Sequence, residues 1–312
     1  LTTPPPSRLA GTFATALHAA HDAAASQNYP AGALYVVATP IGNLADITLR
    51  ALHVLQLVDV IACEDTRHTQ ALLRAYGIDK SAAQLLAVHQ HNEAQAMGSV
   101  VDRLRQGVRV AYVSDAGTPA ISDPGARLVA GVVQAGLNVV PLPGASSVTT
   151  ALSVAGLAQD ADHGSGFLFV GFLPSKTSER NAAVQALAAE PRTVVLLEAP
   201  HRVEALAQAL AALGQRPLTV GRELTKQFED IVTLAAADFA GWLAQDANRT
   251  RGEFALVLHP GAAETAATPQ PRVLQLLLAE LPLKTAVKLA AEITGEPRNA
   301  LYELALTLKD SP

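Results

Sequence analysis

The sequence predicts an α/β protein of two α/β domains followed by a helical unit. Three observations carry this. From Leu34 onward, short apolar segments alternate with helical ones. The first five apolar segments are continuous in Val, Leu, Ile and Ala, the pattern of parallel strands buried on both faces. Turn-rich stretches at 156–166 and 261–271 then divide the chain. Domains are expected at 32–155 and 166–260, with a helix–turn–helix-like tail at 271–309. Residues 1–31, rich in Pro, Ala and His, read as a loosely ordered extension with a helix around 13–25.

In the first domain, strands are expected at 34–38, 58–63, 85–89, 108–113 and 138–141. Asn92 followed by Gln95 reads as a capping box, and Gly107 is placed to end that helix. Gly136 closes the helix that begins near Pro124. In the second domain, strands at 167–171, 193–197 and 218–221 alternate with helices at 178–189 and 201–213. Two more strands, 230–234 and 254–259, follow over short connections, which predicts antiparallel pairing.

In the tail, Leu283, Ala286, Val287 and Ala290 share one helical face, and Leu301, Leu304, Ala305 and Leu308 share another. Gly295-Glu296-Pro297 separates them, which reads as a helical hairpin capping the second domain. Five bases (Arg272, Lys284, Lys288, Arg298, Lys309) face five acids (Glu280, Glu292, Glu296, Glu303, Asp310) there, so charge does not argue for DNA-style binding.

Composition excludes several classes. A net charge of −5 is not that of a generic nucleic-acid binder. The single cysteine, Cys63, excludes an internal disulfide framework and a cysteine-based zinc site, and fits a reducing cytoplasm. No metal centre is expected. No apolar run approaches the ~18–20 residues of a membrane span, and the first 30 residues lack a signal-peptide pattern. Residue 1 is Leu and the only methionine is Met97, which points to a start upstream or at a non-standard codon.

Chemistry is expected in four loops that follow strands, which puts them on one rim of the sheet where open α/β folds bind ligands. They are Thr39–Thr48, Glu64–Thr69, Ser114–Gly125 and Leu142–Ser147. No G-x-G-x-x-G follows the first strand and no G-x-x-x-x-G-K-[ST] exists, so neither an ordinary dinucleotide fold nor a P-loop fits. Pro40 removes a backbone donor, whereas Gly42 and Gly117 admit conformations or close approaches denied to other residues. Asp115 can accept hydrogen bonds from a ribose or an ammonium group. Ser146 and Ser147 sit where a helix begins, so they either cap it or touch a ligand. Glu64 and Asp65, beside Arg67 and His68, read as substrate positioning, with solvated charge plus helix capping as the alternative. Cys63 reads as a buried strand residue.

With these motifs the chain resembles the tetrapyrrole methylase superfamily of S-adenosylmethionine-dependent methyltransferases. The carrying segments are Ala38–Thr48, Cys63–Arg67, Ser114–Gly125, Pro143–Ser147, Gly171–Pro174, Glu198–Arg202, Arg222–Lys226 and Gly252–Phe254, so the resemblance spans about residues 33–309. Tetrapyrrole enzymes of the superfamily carry Gly-Asp-Pro in the loop where this chain has Ser114-Asp115-Ala116-Gly117-Thr118-Pro119 and a further Ser122-Asp123-Pro124-Gly125, a departure that favours the RNA-modifying branch.

The resemblance implies an interdomain cleft holding S-adenosylmethionine, a homodimer, and 2′-O-methylation of a cytidine ribose in small-subunit ribosomal RNA. It puts the cofactor against Pro40, Asp115, Ala116, Gly117, Thr118 and Ile121, then Ser146 and Ser147. From the second domain it adds Phe172, Leu173, Ala199, Pro200, Gly252 and Glu253. Lys226 and Glu223 are the expected catalytic residues, with Arg222 holding phosphate or orienting Glu223. Glu64 and Asp65 are the expected substrate-positioning acids, and Arg67, His201 and Arg202 are expected to grip the RNA, since most such contacts go to phosphate and sugar. For the basic groups the alternative is interdomain salt bridges. Methylation of a tetrapyrrole or another small metabolite, and non-catalytic RNA binding, are the competing functions.

Overall fold

The computed structural model describes residues 6–89, 92–122, 125–157, 166–261 and 270–309. The first domain holds a five-stranded sheet of β1 (Ala33–Val37), β2 (Val60–Cys63), β3 (Leu85–Ala87), β4 (Val110–Val113) and β5 (Asn138–Leu142). Its order is β3-β2-β4-β1-β5 and every pairing is parallel. Continuous apolar strands are the consequence of burial on both faces. Tyr35, Val37, Ile61, Cys63, Ala111 and Val113 pack toward α2 (Leu49–Leu57) and α3 (Thr66–Ala75). Their neighbours Leu34, Val60, Ala62, Val110 and Tyr112 pack toward α4 (Glu93–Arg105) and α5 (Gly125–Gln134).

Two expectations change here. Most of the N-terminal extension is a helix, α1 (Pro6–Ala24), packed on α2 and α3. Its Ala20 and Ala24 are buried in the first core, and Phe13 meets Tyr76 edge-on at 4.9 Å. The Asn92–Gln95 capping box does not form. Asn92 instead accepts from the His89 N–H at 2.8 Å and donates to the Ala87 carbonyl at 2.9 Å, bridging the turn before α4.

The last helix of the first domain, α6 (Ser147–Val154), leads toward the second. That domain has β6 (Phe167–Gly171), α7 (Thr177–Ala188), β7 (Thr193–Glu198), α8 (Val203–Leu210), β8 (Pro217–Arg222), β9 (Asp230–Ala235), α9 (Phe239–Ala244) and β10 (Phe254–Leu258). The strand order is β6-β7-β10-β8-β9, antiparallel except between β6 and β7. One face packs on α7, α8 and α9. The other meets α6, and Ile41, Ala151 and Ala155 form a shared core with Leu224, Ala255 and Val257. This apolar seam sets the two domains at a fixed distance across a cleft.

The tail has three helices where the sequence predicts a hairpin. These are α10 (Gln270–Glu280), α11 (Leu283–Thr294) and α12 (Arg298–Lys309). Leu274, Val287, Ala290, Leu301 and Ala305 form a core of their own, so the expected apolar faces of α11 and α12 pack on α10 and on each other. Asp123, Pro124 and most of both linkers lie outside the described residues. Among the described residues, no helix is long and apolar enough to cross a membrane.

Candidate active site

The loops after β1, β4 and β5 are laced into one rim. Thr39 and Gly117 exchange both backbone hydrogen bonds at 3.0 Å, and Thr118 Oγ1 donates to the Ala145 carbonyl at 3.0 Å. Ser114 Oγ donates to the Ala116 carbonyl at 3.2 Å, closing the β4 loop on itself. Gly117 sits at φ 81°, and Ala120 is held at φ 66°, a conformation that costs a non-glycine residue of order 1 kcal/mol.

The cleft contains two adjoining chambers. The first, of about 260 Å³, is lined from the rim by Ile41, Ala116 and Ser147 and from the second domain by residues including Phe172, Glu198, Ala199, Pro200 and Leu224. The second, of about 530 Å³, lies between Pro40, Gly42, Leu44, the face of α3 and Asp115. Ile41, Ala116, Lys226 and Glu253 line both, so they form the partition.

Lys226 reaches this partition from a turn after β8 with an unusual backbone. Glu223 and Thr225 lie at φ 52° and 66°, and the Lys226 N–H closes the turn on the Glu223 carbonyl at 3.0 Å. The Lys226 ammonium donates to Glu223 Oε1 at 2.8 Å and to Glu253 Oε2 at 3.0 Å. Glu223 Oε1 also accepts from the Glu253 N–H at 3.0 Å, joining β8 to the start of β10. Two glycines make room. A Cβ at Gly252, itself at φ 86°, would strike the Glu223 side chain, and one at Gly42 would overlap Lys226 from Cγ to Cε.

Partial burial pulls the Lys226 pKa down, but the two carboxylates outweigh it and the pKa is raised. Burial likewise pushes Glu223 up, and the Lys226 bond, the Glu253 N–H and the nearby positive charges hold it below its usual value. The cluster is therefore a fixed ammonium between two carboxylates.

Other predicted residues fall in varied places. Ala116, Ser147, Phe172, Ala199, Pro200 and Glu253 line the first chamber, whereas Pro40 and Asp115 line the second. Gly117, Thr118 and Ser146 belong to the laced rim behind them. Ser146 precedes α6 without a side-chain capping bond. Ile121 is exposed, and Leu173 is buried beneath Phe172 in the second core.

Asp65 takes the capping alternative, accepting from the Arg67 and His68 N–H groups at 2.8 and 3.4 Å. Its side-chain and backbone bonds with Arg67 hold its pKa down to about 2, and Arg67 itself points into solvent. Glu64 is half-buried next to it.

Two arginines are occupied by structural bonds. Arg222 donates to the carbonyls of Asn248, Arg251 and Phe228 at 3.3 Å each, and lines neither chamber. Arg202 pairs with the buried Glu198 at 3.0 Å and donates to the Leu173 carbonyl. These contacts lie within the second domain rather than between the domains, and those of Arg202 tie the Glu198–Arg202 turn to the segment after β6. His201 beside them is exposed.

Several site residues escape the sequence reading. Glu198 lines the first chamber and leaves Oε2 buried without a hydrogen-bond partner. Ala71, Leu72 and Ala75 line the second, together with His68, which the sequence places only beside the Glu64–Asp65 pair. Their i, i+3, i+4, i+7 spacing on α3 is the signal by which they are legible, once that helix is known to face the cleft.

A family model described as Tetrapyrrole (Corrin/Porphyrin) Methylases matches residues 33–240, and one described as the RsmI C-terminal HTH domain matches residues 264–309. A protein from Escherichia coli O157:H7 named ribosomal RNA small subunit methyltransferase I is 48% identical over 279 residues, covering 88% of this chain and 95% of that one. A protein of the same name from Neisseria meningitidis serogroup A is 48% identical over 294 residues, covering 92% and 97%.

Among solved structures, a cobalt precorrin-4 methyltransferase of cobalamin biosynthesis has a TM-score of 0.54 at 20% identity, over 76% of this chain and 99% of that one. A uroporphyrin-III-C-methyltransferase from Thermus thermophilus has a TM-score of 0.51 at 23% identity, over 73% and 94%. These structural likenesses show the shared fold.

Proposed function

We propose a function from one premise: the chain belongs to the tetrapyrrole methylase family, alongside relatives named ribosomal RNA small subunit methyltransferase I. It transfers a methyl group from S-adenosylmethionine to ribosomal RNA of the small subunit. The acceptor is the 2′-oxygen of a cytidine ribose, and the enzyme works as a homodimer in the cytoplasm. The observation that carries this reading is the Lys226 ammonium, held by two carboxylates in the wall between two chambers.

The first chamber fits the cofactor chemically. Ile41, Leu197, Leu224 and Ala255 supply apolar wall, and Glu198, whose Oε1 pairs with Arg202, offers its partnerless Oε2 as an acceptor for the cofactor's donors. When bound, S-adenosylmethionine would supply an electrophilic methyl that passes in line to the attacking oxygen as its bond to sulfur breaks, leaving the neutral thioether S-adenosylhomocysteine.

Positioning then dominates the rate, because effective molarity in a shaped cleft removes much of the barrier. A ribose hydroxyl is a poor nucleophile, and negative charge grows on its oxygen as the new bond forms. Lys226, fixed as an ammonium, stabilises that charge. Glu223 orients Lys226 through its hydrogen bond and its backbone tie to Glu253. Glu253, whose side chain is 73% exposed and lines both chambers, holds Lys226 through Oε2 and has its other oxygen to receive the hydroxyl proton.

The test offers labelled S-adenosylmethionine with unmodified small subunits, naked RNA and uroporphyrinogen. Label on RNA, with a gap in the alkaline cleavage ladder at one cytidine, is the expected result. Label on uroporphyrinogen alone sinks the reading.

A further inference from the structure

The second chamber is larger than the first, and its walls differ in kind. One wall is a single face of α3, where His68, Ala71, Leu72 and Ala75 follow one another at helical spacing. Ala71 and Ala75 are small, so a flat ring can lie close against the helix. His68 stands at the start of that stripe, one residue after Arg67, which turns outward to Asp65. The rest of the lining is the Pro40–Leu44 loop, Asp115, and the partition residues Lys226 and Glu253.

The charges select among ligands. Two carboxylates, Asp115 and Glu253, face one ammonium, Lys226, which is already bonded to Glu253. Such a lining disfavours a phosphate and favours a neutral, planar group that donates hydrogen bonds. Asp115 is braced for this task, since its Oδ1 accepts the Asp65 N–H at 3.4 Å and leaves its other oxygen for a ligand. A base with an exocyclic amine fits that description.

We propose that this chamber receives the target nucleoside extruded from the RNA, with its base against the Ala71–Ala75 face of α3, its exocyclic amine on Asp115, and His68 holding its edge. The proposal rests on the methyltransfer reading above and names the substrate pocket that reading requires. Enzymes that act on a single nucleotide in a structured strand take it out of the stack and read it in a pocket of this sort. An imidazole suits the edge position because one ring nitrogen donates and the other accepts. The ribose then falls at the partition, where Lys226 stands between the chambers.

Two variants test the assignment, because each alters an exposed position on α3. Ala71→Leu keeps a strong helix former and fills the chamber; His68→Ala removes the hydrogen bond to the base edge. Each is assayed for kcat and KM with a small-subunit RNA substrate, and for S-adenosylhomocysteine affinity by calorimetry. The expected result is a fall in kcat/KM for RNA of about tenfold or more, the scale set by a single good hydrogen bond to the base, with cofactor affinity held within about twofold.

Unchanged kcat/KM in both variants overturns the pocket assignment while leaving RNA methylation standing. Loss of cofactor affinity alongside activity also overturns it, by putting the cofactor in this chamber. A wild-type enzyme that labels no RNA overturns the methyltransfer reading, and the pocket with it.

Discussion

The two halves of the cleft are built from the same kinds of elements, yet they contribute different things. The first half has an all-parallel sheet, so every strand delivers its following loop to the same rim. Those loops are joined mainly through backbone atoms, as in the Thr39–Gly117 exchange. The second half is mostly antiparallel, and β8 and β10 bring one compact side-chain cluster to the partition. Parallel topology thus makes a cradle of shape, and antiparallel pairing makes a point of charge. The laced rim should act on affinity for the cofactor and the Lys226 cluster on the rate of transfer.

The largest expected effect tests the charged half. Lys226→Ala should lower kcat by about 10²-fold or more, as for loss of one preorganised transition-state donor, with cofactor affinity retained in calorimetry. Equal losses in both would break the contrast. Gly252→Ala reaches the same cluster through the backbone. Its Cβ strikes Glu223 at a position of φ 86°, so the strain of roughly 1–3 kcal/mol should lower Tm together with kcat.

The cradle is tested by Thr118→Val, which removes the hydroxyl bond to the Ala145 carbonyl. Here the expected cost is about 1 kcal/mol, seen as weaker cofactor binding at nearly unchanged kcat. A kcat effect exceeding the binding effect would reverse the assignment of roles.

Acid and alkali sharpen the comparison further. Glu223 is held below the ordinary carboxylate value of 4.5, so its contribution to stability is present above that pH and is lost as pH falls through the folded-state value. Lys226 is raised above 10.5, so its contribution is present below that pH and is lost as pH rises through the folded-state value. Urea unfolding of wild type and Glu223→Gln should therefore differ by a constant amount across the neutral range and converge at the acid end. The smallest effect belongs to Cys63. Burial pushes its thiol up to about 11, so a maleimide reagent at pH 8 should modify the unfolded chain and leave the native one untouched.

Much of the fold was legible in advance because it follows from local pattern. Continuous apolar runs announced the parallel strands, and short connections announced the antiparallel ones. The glycines, prolines and aspartates of the Ser114–Gly125 segment mark it as a shaped loop after a strand rather than a simple connection. The α1 helix was harder to place, since an alanine-rich stretch carries little sign of what it packs on; Phe13, Ala20 and Ala24 acquire meaning only against Tyr76 and the first core. The tail shows the same limit, because helical spacing marked α11 and α12 but did not reveal α10 as their partner.

The basic residues divide most clearly. Sequence alone determined that Arg202, Arg222 and Lys226 stand after strands near the cleft, because strand ends and loop composition are local properties. Tertiary structure decided that Arg202 is spent on Glu198 and Leu173, that Arg222 is spent on three carbonyls, and that Lys226 reaches the partition. Gly42 carries the reason across the domains, and Gly252 carries it within the second domain, where β8 and β10 must pair before Glu223 has its space. Each leaves space for a side chain distant in sequence, and the Gly42 opening for Lys226 exists only after the two domains have packed.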